Sequence, residues 1–192
     1  MSTILLDVDD VICTNHFIPV INMYLNSTYT ESDFNSIKFE MELFPNDEDR
    51  NKFYDFFVTV DSYKYSQLKP NAYDIIKQLV KNNRVILLTS AIHYERSLDM
   101  SRQFADKMKF ISNKLPFFPI ENIIFSNQKD LLKADVIIDD RVQNLKGDYK
   151  HKFLFTCFHN KNISDKELTE QNIIRADNWE HLYKLLNSIN VY

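Results

Sequence analysis

The sequence predicts an α/β fold, a Rossmann-like parallel sheet with helices on both faces. Three observations point to it. The runs Ile4-Leu5-Leu6, Val85-Ile86-Leu87-Leu88 and Val136-Ile137-Ile138 have strand length and are apolar at every position, as strands buried on both faces must be. Segments with helical spacing separate them, and strands alternating with helices build parallel sheets. Two of the runs end in acid: Asp7-Val8-Asp9-Asp10 follows the first, and Asp139-Asp140 follows the third.

Taken in order, residues 3–9 read as the first strand, and 15–25 as a helix carrying Phe17, Ile18, Ile21 and Leu25 at helical spacing. From about 30 to 66 the chain is helical, polar and dense in aromatics. A helix starting near Asn46-Asp47, side chains suited to an N-cap, buries Phe53, Phe56 and Phe57. Residues 15–66 are therefore expected to form a small helical cap inserted into an α/β core made of 1–14 and 67–192. Pro70 suits a helix start, continued on one face by Ile75, Ile76, Leu79 and Val80. Arg84 to Leu88 is a second strand ending at Thr89-Ser90, followed by a long amphipathic helix over roughly 95–113. Short strands follow at Glu121 to Phe125, Asp135 to Ile138, Lys152 to Phe155 and Ile173-Ile174, then a helix from Trp179 to Leu186.

A chain of 192 residues fits one compact domain with a small insertion. Its net charge of −4 weighs against a polymeric nucleic-acid partner, which needs a basic face, and leaves a small anionic ligand open. No apolar stretch approaches the roughly 20 residues that span a bilayer, so no membrane partner is expected. The start, Met1 to Asp7, has no basic region and reaches acid too soon for a signal peptide. Cys13 and Cys157 form neither a metal-binding spacing nor a disulfide framework, the histidines show no ligand spacing, and a reducing cytoplasm is the expected location. A monomer or homodimer is expected. The single glycine, Gly147, excludes both the dinucleotide fingerprint and the glycine-rich phosphate loop, and is expected to serve a turn.

In open α/β sheets, ligands sit just beyond the carboxyl ends of the strands. Carboxylates converging there repel one another and require a cation, and hard oxygen donors favour Mg²⁺. Phosphate chemistry without a glycine loop needs a nucleophile, an acid for the leaving oxygen, a cation, and donors for the other oxygens. Asp7 and Asp9, two apart, share a face if the backbone stays extended. Thr89 and Ser90 offer hydroxyls, Lys129 a positive charge, and Asp139 and Asp140 further metal ligands.

Those pieces, in that order, resemble the haloacid dehalogenase superfamily of phosphatases. Ile138-Asp139-Asp140-Arg141 with Lys129 ahead of it, Leu88-Thr89-Ser90-Ala91 and Asn178-Trp179-Glu180 are similar to the 5′(3′)-deoxyribonucleotidase family. The resemblance implies a haloacid dehalogenase-like core and Mg²⁺-dependent hydrolysis of a deoxyribonucleoside monophosphate. It implies Asp7 as nucleophile through an aspartyl-phosphate, and Asp9 as acid and then base. Mg²⁺ would rest on the Asp7 carboxylate, the Asp9 main-chain carbonyl and Asp140, with Asp139 a neighbouring or alternate ligand. Thr89, Ser90 and Lys129 would hold the phosphoryl group. The chain departs from the family where Asp10 replaces the usual glycine, where Ala91 replaces a proline, and where His93 stands at an expected basic substrate contact.

Each residue taken alone has a plainer reading. An Asp-x-Asp caps turns, Thr-Ser caps helices, and a lone lysine is solvated. The aromatics from Phe34 to Tyr65 are first of all a cap core, with Phe17, near the carboxylates in sequence, the expected base contact. The rival functions are a phosphatase for another small phospho-metabolite, and a receiver-like module that binds Mg²⁺ and phosphate without turnover.

Overall fold

The computed structural model describes residues 1–90 and 101–191. Six strands form one parallel sheet: β1 (Thr3–Leu6), β2 (Arg84–Thr89), β3 (Ile123–Phe125), β4 (Ala134–Asp139), β5 (Tyr149–Phe155) and β6 (Ile173–Ala176), in the order β3-β2-β1-β4-β5-β6. The helices are α1 (Phe17–Leu25), α2 (Phe39–Leu43), α3 (Asp47–Phe57), α4 (Ala72–Asn82), α5 (Ser101–Lys114), α6 (Asp165–Glu170) and α7 (Trp179–Ser188). The amphipathic segment from 95 begins outside the described residues, as do Ala91 and His93.

The apolar runs behave as their composition requires. Ile4, Leu6, Val85, Leu87, Val136, Ile138, Phe153 and Phe155 face one core with α4, α5 and α7. Their alternates Leu5, Ile86, Leu88, Ile137 and Leu154 face a second core with Leu168 of α6. A period of two thus loads both faces, which is why these strands carry no polar stripe. Strand order reverses between β1 and β4, where a crevice opens at the carboxyl ends. Leu6 pairs with Ile138, and the Asp7 amide donates to the Ile138 carbonyl at 3.0 Å, so both acidic clusters emerge side by side.

Between β1 and β2, the elements α1 to α3 and the 3-10 turn Ser62–Tyr65 gather a separate aromatic cluster around Phe17, Phe39, Phe44, Phe53 and Phe57. Asn46 caps α3 as its sequence suggests, its side chain accepting from the Asp49 amide. Phe158, from the loop after β5, joins this cluster, 5.8 Å from Phe39. Among the described residues no helix is long and apolar enough to cross a membrane.

One local expectation differs from the structure. The first strand stops at Leu6 rather than continuing to residue 9, because the chain coils: the Ile12 and Cys13 amides both donate to the Val8 carbonyl, and Asp10 adopts φ 57°. Among the described residues the left-handed positions are Asp10, Asn26, Asn71, Asn172 and Asn190, so a chain with one glycine fills them with short polar residues that tolerate this region. Gly147 is not one of them, at φ −67°. It is needed for close approach, since a Cβ there would lie 2.6 Å from the Tyr149 ring.

Candidate active site

The acidic residues of the two clusters take different partners. Asp7 and Asp139 converge on Lys129, whose Nζ lies 2.9 Å from Asp7 Oδ1 and 2.6 Å from Asp139 Oδ2. Asp139 is saturated by protein, its other oxygen accepting from the Arg141 amide and from Asn144 Nδ2, each at 2.9 Å. Asp140 is bonded through Oδ2 to His159 Nε2 at 2.7 Å. One oxygen from each of Asp7, Asp139 and Asp140 falls within a 4.8 Å envelope. Three buried carboxylates therefore cluster where one lysine pairs with two of them.

The charge balance shows in their proton affinities. Burial, then Asp139 and Asp9, push Asp7 above its ordinary value against the pull of Lys129. Burial, Asp139 and Asp7 push Asp140 well up. Lys129 is raised because Asp139 and Asp7 outweigh its burial. A divalent cation fits this deficit: the donors are hard oxygens, and Asp7 Oδ1 is buried with an ion pair but no aligned hydrogen bond.

Asp9 has a different set of partners. Its Oδ2 lies 2.6 Å from Lys107 Nζ, and its Oδ1 accepts from the Tyr63 hydroxyl at 2.7 Å. His16 stacks on Tyr63 with ring centroids 4.4 Å apart and reaches within 3.6 Å of Asp9. Burial would raise Asp9, but Lys107, His16 and Tyr63 together hold it below the ordinary carboxylate value. Asp7 and Asp9 flank Val8, which is buried in the core, and each carboxylate has its own partners, Lys129 for Asp7 and Lys107 with Tyr63 for Asp9.

Lys107 is the residue that sequence reasoning missed. It is 1% exposed and bonds Asp9, Thr89 Oγ1 at 2.9 Å, and the Ser90 carbonyl, tying the first two motifs together. A signal was present: Gln103, Lys107, Phe110 and Ile111 form one helical stripe, so the lysine lies on the buried face of α5. Thr89 is fully buried at the end of β2, and the Ser90 hydroxyl donates to Asn127 Oδ1.

The supporting residues are local. Lys129 opens the 3-10 turn Lys129–Leu131, and its carbonyl accepts from the Tyr149 hydroxyl at 2.7 Å. Tyr149 lies across Gly147, so the lone glycine indirectly sets the position of this lysine. Trp179 Nε1 donates to the Val11 carbonyl at 3.0 Å and braces the turn after Asp9. Asn178 caps α7, and Glu180 accepts from Asn71 at 2.8 Å.

Asp10, at the resemblance's glycine position, is buried beside these groups. Its Oδ2 accepts from Asn15 Nδ2 at 3.1 Å while Oδ1 has no hydrogen-bond partner. Burial, and then Asp140, push it up to about 8. Phe17 is 8% exposed, with its ring 4.2 Å from Phe57 inside the aromatic cluster. The aromatic groups that reach Asp9 are His16 and Tyr63 instead. Cys13 is fully buried, its thiol donating to the Val8 carbonyl.

The family model described as 5′ nucleotidase, deoxy (pyrimidine), cytosolic type C protein matches residues 1–191. A 5′(3′)-deoxyribonucleotidase of Bacillus subtilis strain 168 is 27% identical over 190 residues, covering 96% of this chain and 98% of that protein. A 5′(3′)-deoxyribonucleotidase of Clostridium acetobutylicum is 28% identical over 150 residues, covering 78% and 75%. Among solved structures, a haloacid dehalogenase-like hydrolase from Streptococcus pneumoniae superposes with TM-score 0.57 at 14% identity, covering 96% of this chain and 98% of that one. A hydrolase from Pseudomonas syringae gives TM-score 0.56 at 13% identity, covering 98% and 99%. At such identities the structural matches speak for the fold alone.

Proposed function

We propose that this chain, which belongs to the 5′ nucleotidase, deoxy (pyrimidine), cytosolic type C family and is a phosphoric-monoester hydrolase of the haloacid dehalogenase type, acts on deoxyribonucleoside monophosphates through an aspartyl-phosphate on Asp7. The observation that carries the reading is the convergence of Asp7, Asp139 and Asp140 oxygens within 4.8 Å of one another at the sheet's switch point, with Lys129 on Asp7 and Asp139 and with Asp9 beside them on Lys107. A nucleophile must be ionised while the acid carries a proton; at rest the bias runs the other way, Asp7 raised and Asp9 lowered, so positive charge on Asp7 and a negative ester beside Asp9 have to reverse it.

In the first displacement an Asp7 oxygen attacks phosphorus, the bond to the sugar oxygen breaks, and Asp9 gives that oxygen its proton. Lys107 and Tyr63 keep Asp9 ionised before substrate arrives; the negative ester entering beside it raises its proton affinity and loads the proton. In the second displacement Asp9 takes a proton from water, the water oxygen bonds phosphorus, and the bond between the Asp7 oxygen and phosphorus breaks, leaving Asp7 a carboxylate and Asp9 the protonated acid. Lys129 fixes Asp7 and offers its charge to the phosphoryl oxygens. Thr89 and Ser90 supply hydroxyls to the same group, with Lys107 setting their position.

The Asp7 and Asp140 carboxylates and the Asp9 carbonyl would hold Mg²⁺, which supplies positive charge to the transferring phosphoryl group. Asp139, saturated by Lys129, Arg141 and Asn144, positions the lysine instead. Residues 15–66 serve as the cap over the core of 1–14 and 67–192. Its His16–Tyr63 wall faces the nucleoside, with Phe17 packed behind it. The protein is read as cytoplasmic, a monomer or homodimer, with no polymeric nucleic-acid partner.

The test is a panel of monophosphates assayed for multiple-turnover phosphate release with Mg²⁺: deoxyribonucleoside 5′- and 3′-phosphates, ribonucleotides and sugar phosphates. Preference for deoxyribonucleotides is the expected result. Preference for a sugar phosphate overturns the substrate, and a single stoichiometric phosphorylation overturns the enzymatic reading in favour of a receiver-like module.

A further inference from the structure

Asp140 stands at the junction of two different donor sets. One is the oxygen cluster with Asp7 and Asp139. The other is Asp140, Cys157 and His159, whose donor atoms also lie within 4.8 Å of one another. Spacing in the sequence gave no hint of it, since the carboxylate follows β4 while the thiol and imidazole follow β5, its sheet neighbour.

The arrangement is built rather than incidental. Asn160 Oδ1 accepts from the Cys157 amide at 3.1 Å, while its Nδ2 donates to the Asp140 and Phe155 carbonyls, each at 2.8 Å. The loop carrying the two donors is thereby tied to Asp140 itself. Nearby, buried Asp10 leaves Oδ1 without a hydrogen-bond partner, and Asp140, Lys69 and His159 are the charged groups around it.

We propose that Asp140, Cys157 and His159 form a binding site for a borderline-soft divalent metal, Zn²⁺ in particular, sharing Asp140 with the hard-oxygen site. Thiolate and imidazole donors select Zn²⁺ and have little affinity for Mg²⁺. Tetrahedral Zn²⁺ sets its donor atoms roughly 3.3–3.6 Å apart, inside the observed envelope. The Asp140–His159 contact at 2.7 Å must open by roughly 0.6–0.9 Å to admit the ion. His159 presents its Nε2 lone pair by moving its proton to Nδ1, and the Cys157 proton leaves to solvent. The fourth position is left to Asp10 or to water. Because one carboxylate cannot serve both ions in full, Zn²⁺ antagonises Mg²⁺-supported turnover. That consequence rests on the proposed function, whereas binding does not.

The experiment titrates the full-length, metal-free protein with Co²⁺ as a spectroscopic stand-in, then adds Zn²⁺ or Mg²⁺. One Co²⁺ per chain with a thiolate-to-metal charge-transfer band is expected, displaced by Zn²⁺ and not by Mg²⁺. Cys157→Ser should abolish the band, Cys13→Ser should retain it, and His159→Gln should weaken Co²⁺ binding at least tenfold. A missing band, a band surviving Cys157→Ser, or unchanged affinity in His159→Gln overturns the site. Should Cys157→Ser fail to fold, alkylation of Cys157 in the unaltered protein decides: Zn²⁺ should slow it at least tenfold, and an equal rate with and without Zn²⁺ overturns the site. A protein that binds Co²⁺ through Cys157 but releases no phosphate keeps this site and refutes the nucleotidase reading.

Discussion

Asp10→Asn isolates the cost of the third carboxylate in the first motif. Asp10 is buried, lacks a partner for one oxygen, and is pushed up to about 8 by burial and by Asp140. Raising a carboxyl from 3.8 to about 8 corresponds to roughly 6 kcal/mol, at about 1.4 kcal/mol per pKa unit. A carboxyl raised in the folded state gives its full support below pH 3.8 and loses it as pH climbs towards 8. Asparagine removes the ionisation and tolerates φ 57°, but brings an amide that needs a partner, at a cost of about 1–3 kcal/mol. The variant is then about 3–5 kcal/mol more stable above pH 8, or roughly 6–20 °C in Tm at about 2–4 °C per kcal/mol for a chain of this size. Thermal unfolding followed by circular dichroism, with chelator present, gives the gap between the two proteins from pH 4 to pH 9. It should be smallest or reversed at pH 4, widen through pH 7 and level off above about pH 8. A gap that does not vary with pH refutes the reasoning.

Further predictions concern the site and its supports. Asp7→Asn should abolish phosphate release while circular dichroism shows an intact fold; turnover at a tenth of the normal rate or more would exclude Asp7 as nucleophile. Lys107→Met should lower kcat by about 10²-fold or more, the scale set by misplacing catalytic groups, since both Asp9 and Thr89 lose their anchor; steady-state kinetics will show whether the loss falls on kcat. Gly147→Ala should cost about 1–3 kcal/mol through overpacking against Tyr149 and should loosen the Lys129 turn, read as a drop in both urea midpoint and kcat. Dialysis against chelator should abolish turnover, and Mg²⁺ should restore it.

Much of the fold was legible because burial on both faces leaves a plain mark. Ile4-Leu5-Leu6 and Val136-Ile137-Ile138 carry no polar alternation, and the acid after each marks the carboxyl edge. Lys129 was legible through its distance from Asp139, and the contact between them is direct. The turn after Asp7 was not, since a left-handed aspartate leaves no composition signature in the way glycine does. Lys107 was hidden because a lysine on an amphipathic helix is ordinarily solvated, and its partners lie 98 and 18 residues away. His159 and Cys157 became visible only once β4 and β5 were known to be neighbours. Phe17 shows the limit of nearness in sequence. It follows Asp9 closely, yet α1 turns its ring into the aromatic cluster, and His16 beside it is the residue that reaches the carboxylate.

The central claim is a covalent phosphoryl transfer to one named side chain. Mixing the protein with a deoxyribonucleoside monophosphate and Mg²⁺, quenching in acid within one turnover, and mapping phosphorylated peptides by mass spectrometry tests it directly. Phosphate on Asp7, absent after Asp7→Asn, is the predicted result. Rapid product formation with no phosphopeptide at Asp7, or phosphate on another residue, contradicts it.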